Sequence, residues 1–200
     1  MTGENFITAI EGRRSIYSIC SNPVIEDEKL EELIKKIVKT MPTAMNCQSS
    51  RVVLLLGEQH HKLWKITMEQ LRNRVSAERF GPTEEKINGF ASGYGTVLYF
   101  DEMDIIHELQ EKYPRYKDNF PLWGQQANGM LQFAIWTALE LEGYGASLQH
   151  YGEVINEQVM EEWGIKPSWK LIAQMPFGEP TNQPKEKTFE PIEKRVKIFK

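Results

Sequence analysis

Four short stretches of this chain carry side chains suited to gripping a small polar ligand. "RRS" at 13–15 sets Arg13 and Arg14 beside the hydroxyl of Ser15. Arg donates from a planar fork that matches phosphate and carboxylate, so the trio suits an anion clamp; an Arg pair alone reads equally as solvated surface. "NCQSS" at 46–50 brings Asn46, Gln48 and Ser49. Their amides each offer a donor and an acceptor, which fits a heterocycle edge or a sugar chain, while turn formation explains the same residues without a ligand. "GASLQHYG" at 145–152 places Gln149, His150 and Tyr151 between Gly145 and Gly152, directly behind a long apolar run. His150 there could be a base, a ligand or a hydrogen bonder. "PKEK" at 184–187 puts Lys185 and Lys187 on one side of an extended backbone, where two ammonium groups could meet a phosphate or stay in solvent.

These stretches must be held by regular elements. A short helix is expected over 4–12. Leu30, Leu33, Ile34, Ile37 and Val38 recur at helical spacing, with acids before them and lysines after, as the helix dipole favours. "RVVLLLG" reads as a buried strand and "YGTVLYFD" as a second. Helices are expected over 58–76, near 83–91, over 102–112 and over 153–163. "LWGQQANGMLQFAIWTALELEGYG", from Leu122, is the longest apolar pattern; from Met130 to Leu141 it is apolar on nearly every face, the pattern of a central buried helix that ends at Gly143 and Gly145. "ASLQHY" reads as a strand and "SWKLIAQMPFG" as the last one. Helices and strands interleave, so the class is α/β or α+β. Beyond residue 179 prolines and lysines suggest an extended arm. It carries Phe189, Ile192, Val196, Ile198 and Phe199, so it reads as laid on a surface, a second subunit's included, rather than loose.

Composition narrows the partners. Two hundred residues fit one domain, 1–200, with the arm at about 180–200. The net charge of −4 and the lack of a basic block before the last dozen residues argue against nucleic acid. No apolar run is long enough to span a bilayer, and the first residues lack a signal-peptide pattern. Two cysteines, Cys20 and Cys47, make neither a disulfide framework nor a zinc site. Cytoplasmic location is expected, with no membrane partner. No second histidine stands at metal spacing from His150, and His60 and His61 fall on a helix expected to be exposed. Neither a Walker A motif nor G-x-G-x-x-G is present.

The order of the pieces carries more than any one of them. "RRSIYSI", "MPTAMNCQSSRVVLLLGEQHHKLW", "GYGTVLYFDE", "WTALELEGYGASLQHYG", "MPFGEP" and "KTFEPIEKRVKIF" together resemble the nitroreductase family. The likeness is to its short group, which includes a fungal branch linked to fatty-acid signalling and stress. It implies an α+β fold with a central mixed sheet flanked by helices, and a homodimer with the long apolar helix at its interface. It further implies FMN bound without a covalent bond, and ping-pong hydride transfer from NADH or NADPH to nitroaromatics or quinones. On that resemblance Arg13, Arg14 and Ser15 hold the FMN phosphate and ribityl chain. Asn46, Gln48 and Ser49 reach the flavin from the other subunit. Gln149 and His150, with Tyr151 and Gly152 in the same loop, approach the ring edge, and Lys185 and Lys187 close on the phosphate.

The chain departs from the family pattern in two places. Two lysines replace the common Lys–Arg pair, which keeps point charge and loses the bidentate fork. Tyr17 stands where many larger members carry a lysine near the ring, so the reduced ring needs another donor. Cys47 is assigned no chemistry, and no side chain is assigned as a catalytic acid or base. "ERFGPTEEKINGF" and "YPRYKDNFPLWGQQ" are candidate lids over flat acceptors, or ordinary core. The alternative function is a low-turnover flavin-binding regulator in lipid or stress signalling.

Overall fold

The computed structural model describes residues 3–200. Its elements, in chain order, are α1 (Gly3–Gly12), β1 (Ile19–Cys20), α2 (Asp27–Thr40), β2 (Ser50–Leu56), α3 (Gly57–Arg72), α4 (Gly81–Ala91), β3 (Gly95–Glu102), α5 (Met103–Lys112), α6 (Asn119–Leu141), β4 (Gly145–Ala146), α7 (Gly152–Trp163) and β5 (Trp169–Pro180). The sheet runs β1-β5-β3-β2, with β4 also on β5. The fold is the expected α+β one. Its strand pairs are all antiparallel, so the sheet is not the mixed one implied. The parallel contact is a single bridge, Ser15 to Ala146.

β3 is the axis of the core. Side chains alternate across a strand with a period of two, so Val97 and Tyr99 face one layer while Leu98 and Phe100 face the other. On the first side α2 and α6 pack Leu30, Ile34, Leu131, Ile135 and Leu139 against Met175 and Phe177. On the second, α3, α4 and α7 bring Leu63, Trp64, Ile87, Phe90, Ile155 and Val159. Eight buried residues in a row make β3 the buried strand.

β2 differs from its expectation. Only Leu55 of its seven residues is buried. The cause is position: β2 pairs with β3 on one side and forms the sheet's edge on the other. α3 stops at Arg72 rather than 76, where Arg74 and Val75 both donate to the Leu71 carbonyl at 3.0 Å and tighten the last turn. "ASLQHY" forms a strand only at its first residue, after which Gln149 pairs once with Gln174.

His60 also departs from expectation. It is fully buried on α3, with Nδ1 2.8 Å from Thr96 Oγ1 and Nε2 3.2 Å from the Ala91 carbonyl. α6 begins at Asn119, three residues before the apolar pattern, and is not buried all round: Met130, Phe133 and Leu141 lie exposed along it. Among the described residues, no helix is long and apolar enough to cross a membrane.

Candidate functional site

The last turn of α1 hands the chain to an extended segment. Arg13 still donates to the Ala9 carbonyl at 3.2 Å, and then Ile16 donates to Ala146 at 2.9 Å. Gly145 makes that approach possible: a Cβ there would sit 2.8 Å from Cγ2 of Ile16. The two ends of the chain are joined on the other side. β1 pairs with the end of β5, and Thr181 donates to the Ser18 carbonyl at 2.9 Å. The Arg14 guanidinium donates to the Lys185 carbonyl.

The result is a pocket of about 630 Å³ lined by residues 13–18 and 182–187. Arg13, Arg14, Lys185 and Lys187 all line it, and Glu186 is the one acid among the lining residues. Ser15, Tyr17 and Ser18 supply hydroxyls. Four cations against one carboxylate make a positive well. Burial, then the like charge of Arg14, lower the pKa of Arg13, while Glu140 opposes them. The Arg13 guanidinium lies over the Trp136 ring, 4.3 Å from its centroid.

"GASLQHYG" abuts this pocket through the Ser15–Ala146 bridge. Its remaining residues divide by job. Gln149 is buried; its backbone exchanges bonds with Gln174 at 2.7 and 2.9 Å, and its side chain donates to Ser147 Oγ at 3.1 Å. His150 is exposed. The Tyr151 N–H donates to Gln174 Oε1 at 2.6 Å, and its ring meets Trp64 edge to face at 6.2 Å. Gly152 lets α7 start against β5, where a Cβ would come within 2.5 Å of the Leu171 carbonyl. Tyr151 and Gly152 thus have packing reasons for their identity. Gln174, missed in the sequence, holds this loop by both backbone and side chain, and its Nε2 is buried with no partner.

Asn46, Gln48 and Ser49 lie elsewhere. Among the pockets described they do not reach the cationic one; Gln48 lines a separate groove of about 760 Å³ between α2 and β2. Asn46 and Gln48 are exposed, whereas Ser49 is buried beside Cys47, whose Sγ is 3.8 Å from its hydroxyl. Met45, Asn46 and Gln48 all adopt positive φ, at 52°, 52° and 51°. The aromatic residues of the candidate lids divide: Phe80, Phe90 and Phe120 are buried, Tyr113 and Trp123 are half-buried, and Tyr116 is exposed. Among the described residues no three His, Cys, Asp or Glu side chains group as a metal site.

Sequence reasoning also missed Trp136 and Glu140. Both stand on α6 one turn apart, and Trp136 reads as one more apolar residue in an apolar run. Only the turn spacing to an acid hints at a second use.

A model of the nitroreductase family matches residues 10–179. The nitroreductase FRM2 of Saccharomyces cerevisiae is 30% identical over 189 residues, 92% of this chain and 93% of that one. The putative nitroreductase HBN1 of the same yeast is 30% identical over 198 residues, 97% and 96% of the two chains. Among solved structures, nitroreductase CinD from Lactococcus lactis in complex with chloramphenicol superposes with a TM-score of 0.90 at 38% identity, over 98% of this chain and all of that one. CinD in complex with 4-nitrophenol gives the same values.

Proposed function

Because the chain belongs to the nitroreductase family, we propose that it is an FMN-dependent oxidoreductase that takes electrons from NADH or NADPH and passes them to nitroaromatic or quinone-like acceptors in ping-pong turnover. It works as a homodimer in the cytoplasm. The observation that carries this reading is the 630 Å³ pocket in which Arg13, Arg14, Lys185 and Lys187 converge from opposite ends of the chain.

The pocket fits the phosphorylated end of FMN. A phosphate monoester is close to dianionic at neutral pH, and charge-assisted bonds to Arg and Lys hold it. Ser15 and Ser18 offer hydroxyls to a polyol chain. The backbone of 145–149 lies next along the sheet, so the ring falls against "GASLQHYG", which explains polar chemistry set on the buried end of α6. Bound there, FMN supplies the two-electron redox centre. The protein's share is to anchor it, to present backbone and the Gln174 amide beside the loop, and to leave one ring face open for donor and acceptor in turn.

Asn46 and Gln48 reach the same flavin from the second subunit, which explains their distance from the pocket within one chain. The acceptor class draws on the CinD complexes, because chloramphenicol and 4-nitrophenol are both nitroaromatics.

Anaerobic stopped-flow tests the reading. The FMN-loaded protein should bleach on mixing with NADH or NADPH, and recover its yellow colour when a nitroaromatic or quinone is added. Protein that takes up no FMN, or that neither nicotinamide reduces, would count against it; slow reduction with no acceptor turnover would favour the regulator.

A further inference from the structure

We propose that Trp136 is a positioning residue for Arg13: the indole face fixes the guanidinium at the anion end of the pocket and thereby sets the preference for a phosphorylated over an unphosphorylated flavin. This rests on the reading of the pocket as an FMN site. The two arginines of "RRS" are used differently. Arg14 is tied to the Lys185 carbonyl, where it pins the arm. Arg13 is half-buried, and among the described residues its guanidinium donates to no acceptor, so its planar fork is free for a ligand.

What holds Arg13 is the Trp136 ring, 4.3 Å away at its centroid. Trp is the strongest aromatic partner for a cation, and stacking leaves the guanidinium edge, with its N–H groups, open. Trp136 is itself anchored, since it packs half-buried against the core that holds Leu131, Ile135 and Leu139. The Trp136 Nε1 is buried with no hydrogen-bond partner. An aliphatic core residue would fill the space without that orphan. The feature that a plain core residue lacks is the ring face beneath Arg13. One turn on, Glu140 sits against the end of α1, where a Cβ on Gly12 would come within 3.0 Å of its carboxylate. The helix end is thus seated on this face of α6, and Arg13 emerges over Trp136 as a consequence.

The test compares FMN with riboflavin, which differ by the phosphate alone, through quenching of flavin fluorescence on titration of flavin-free protein. Trp136→Leu should weaken FMN about five-fold while riboflavin affinity stays within about two-fold, and Trp136→Phe should fall between. In an Arg13→Ala background, Trp136→Leu should change FMN affinity no further. Equal weakening of both flavins, or an unchanged preference, would overturn the inference; should Trp136→Leu fail to fold, Trp136→Phe decides it alone by the same ratio. Arg13→Ala separates the two levels. If it leaves the FMN preference intact, the pocket is not the phosphate site; if it abolishes the preference and the Trp136 variants do not, only the role of Trp136 is wrong.

Discussion

His60 shows how a polar side chain on α3 was absorbed by the core. Its Nε2 faces the Ala91 carbonyl and must donate; its Nδ1 then accepts from the Thr96 hydroxyl, which in turn accepts from Trp64 Nε1 at 3.0 Å. Every atom is satisfied in the neutral tautomer alone. Burial, opposed by the Ala91 carbonyl, lowers its pKa to about 4 from 6.5. The unfolded chain therefore binds a proton between pH 6.5 and about 4 that the folded one does not. Stability rises with pH across that window and falls on acidification, by about 3 kcal/mol in full. Urea unfolding at successive pH values checks this. A His60→Gln variant, though weaker overall, should lose most of that slope, and a slope equal to wild type would show that other groups set it.

At the scale of elements, the turn between α2 and β2 stores strain. Positive φ costs an ordinary residue roughly 1–2 kcal/mol, and two such residues, Met45 and Gln48, adopt it beside the more tolerant Asn46. Such strain persists where geometry is needed for function. Gln48 is exposed, and its side chain makes one bond, to the Asn46 carbonyl at 3.3 Å. Gln48→Gly should therefore stabilise the flavin-free protein by about 1 kcal/mol in urea while weakening FMN binding. A variant gaining neither stability nor a binding defect would mean that the turn is relaxed and remote from the cofactor. The sequence shows α2 clearly, because Leu30, Ile34 and their neighbours keep one apolar stripe. It shows α6 from Leu122, three residues after the helix starts, yet gives no sign that Asn128 and Gln132 within it are buried. Those two are buried through side-chain bonds, with Asn128 donating to Asp101 at 2.9 Å and Gln132 to Asn128 at 2.7 Å, and no periodicity reports that. "RRS" and "PKEK" are visible as charges, but their meeting across 170 residues follows from β1–β5 pairing, and a two-residue strand leaves no pattern. The Trp136 stack is invisible for the same reason: it depends on where α1 ends over α6.

For the whole molecule, the proposed homodimer would give the exposed apolar surface its partner. Leu122, Met130, Phe133 and Leu141 line one side of α6, with Phe6 and Ile7 exposed on α1. β2 presents an unpaired apolar edge above the 760 Å³ groove, and such edges invite another chain. The arm carries the matching apolar residues, with Phe199 90% exposed. We expect a second copy to cover both surfaces, bringing its Asn46 and Gln48 to the flavin. Phe133→Asp would bury a charge at the centre of that contact, so sedimentation should show monomers, and FMN should dissociate with the dimer. Ending the chain after Lys187 is the sharper test, because it keeps Arg13, Arg14, Lys185 and Lys187 and removes only the apolar end of the arm. Sedimentation at falling concentration should then show the dimer dissociating earlier than wild type, with FMN lost in step. Should the shortened chain stay dimeric and yellow at every dilution, the arm would seal nothing, and the α6 face would have to hold the subunits by itself.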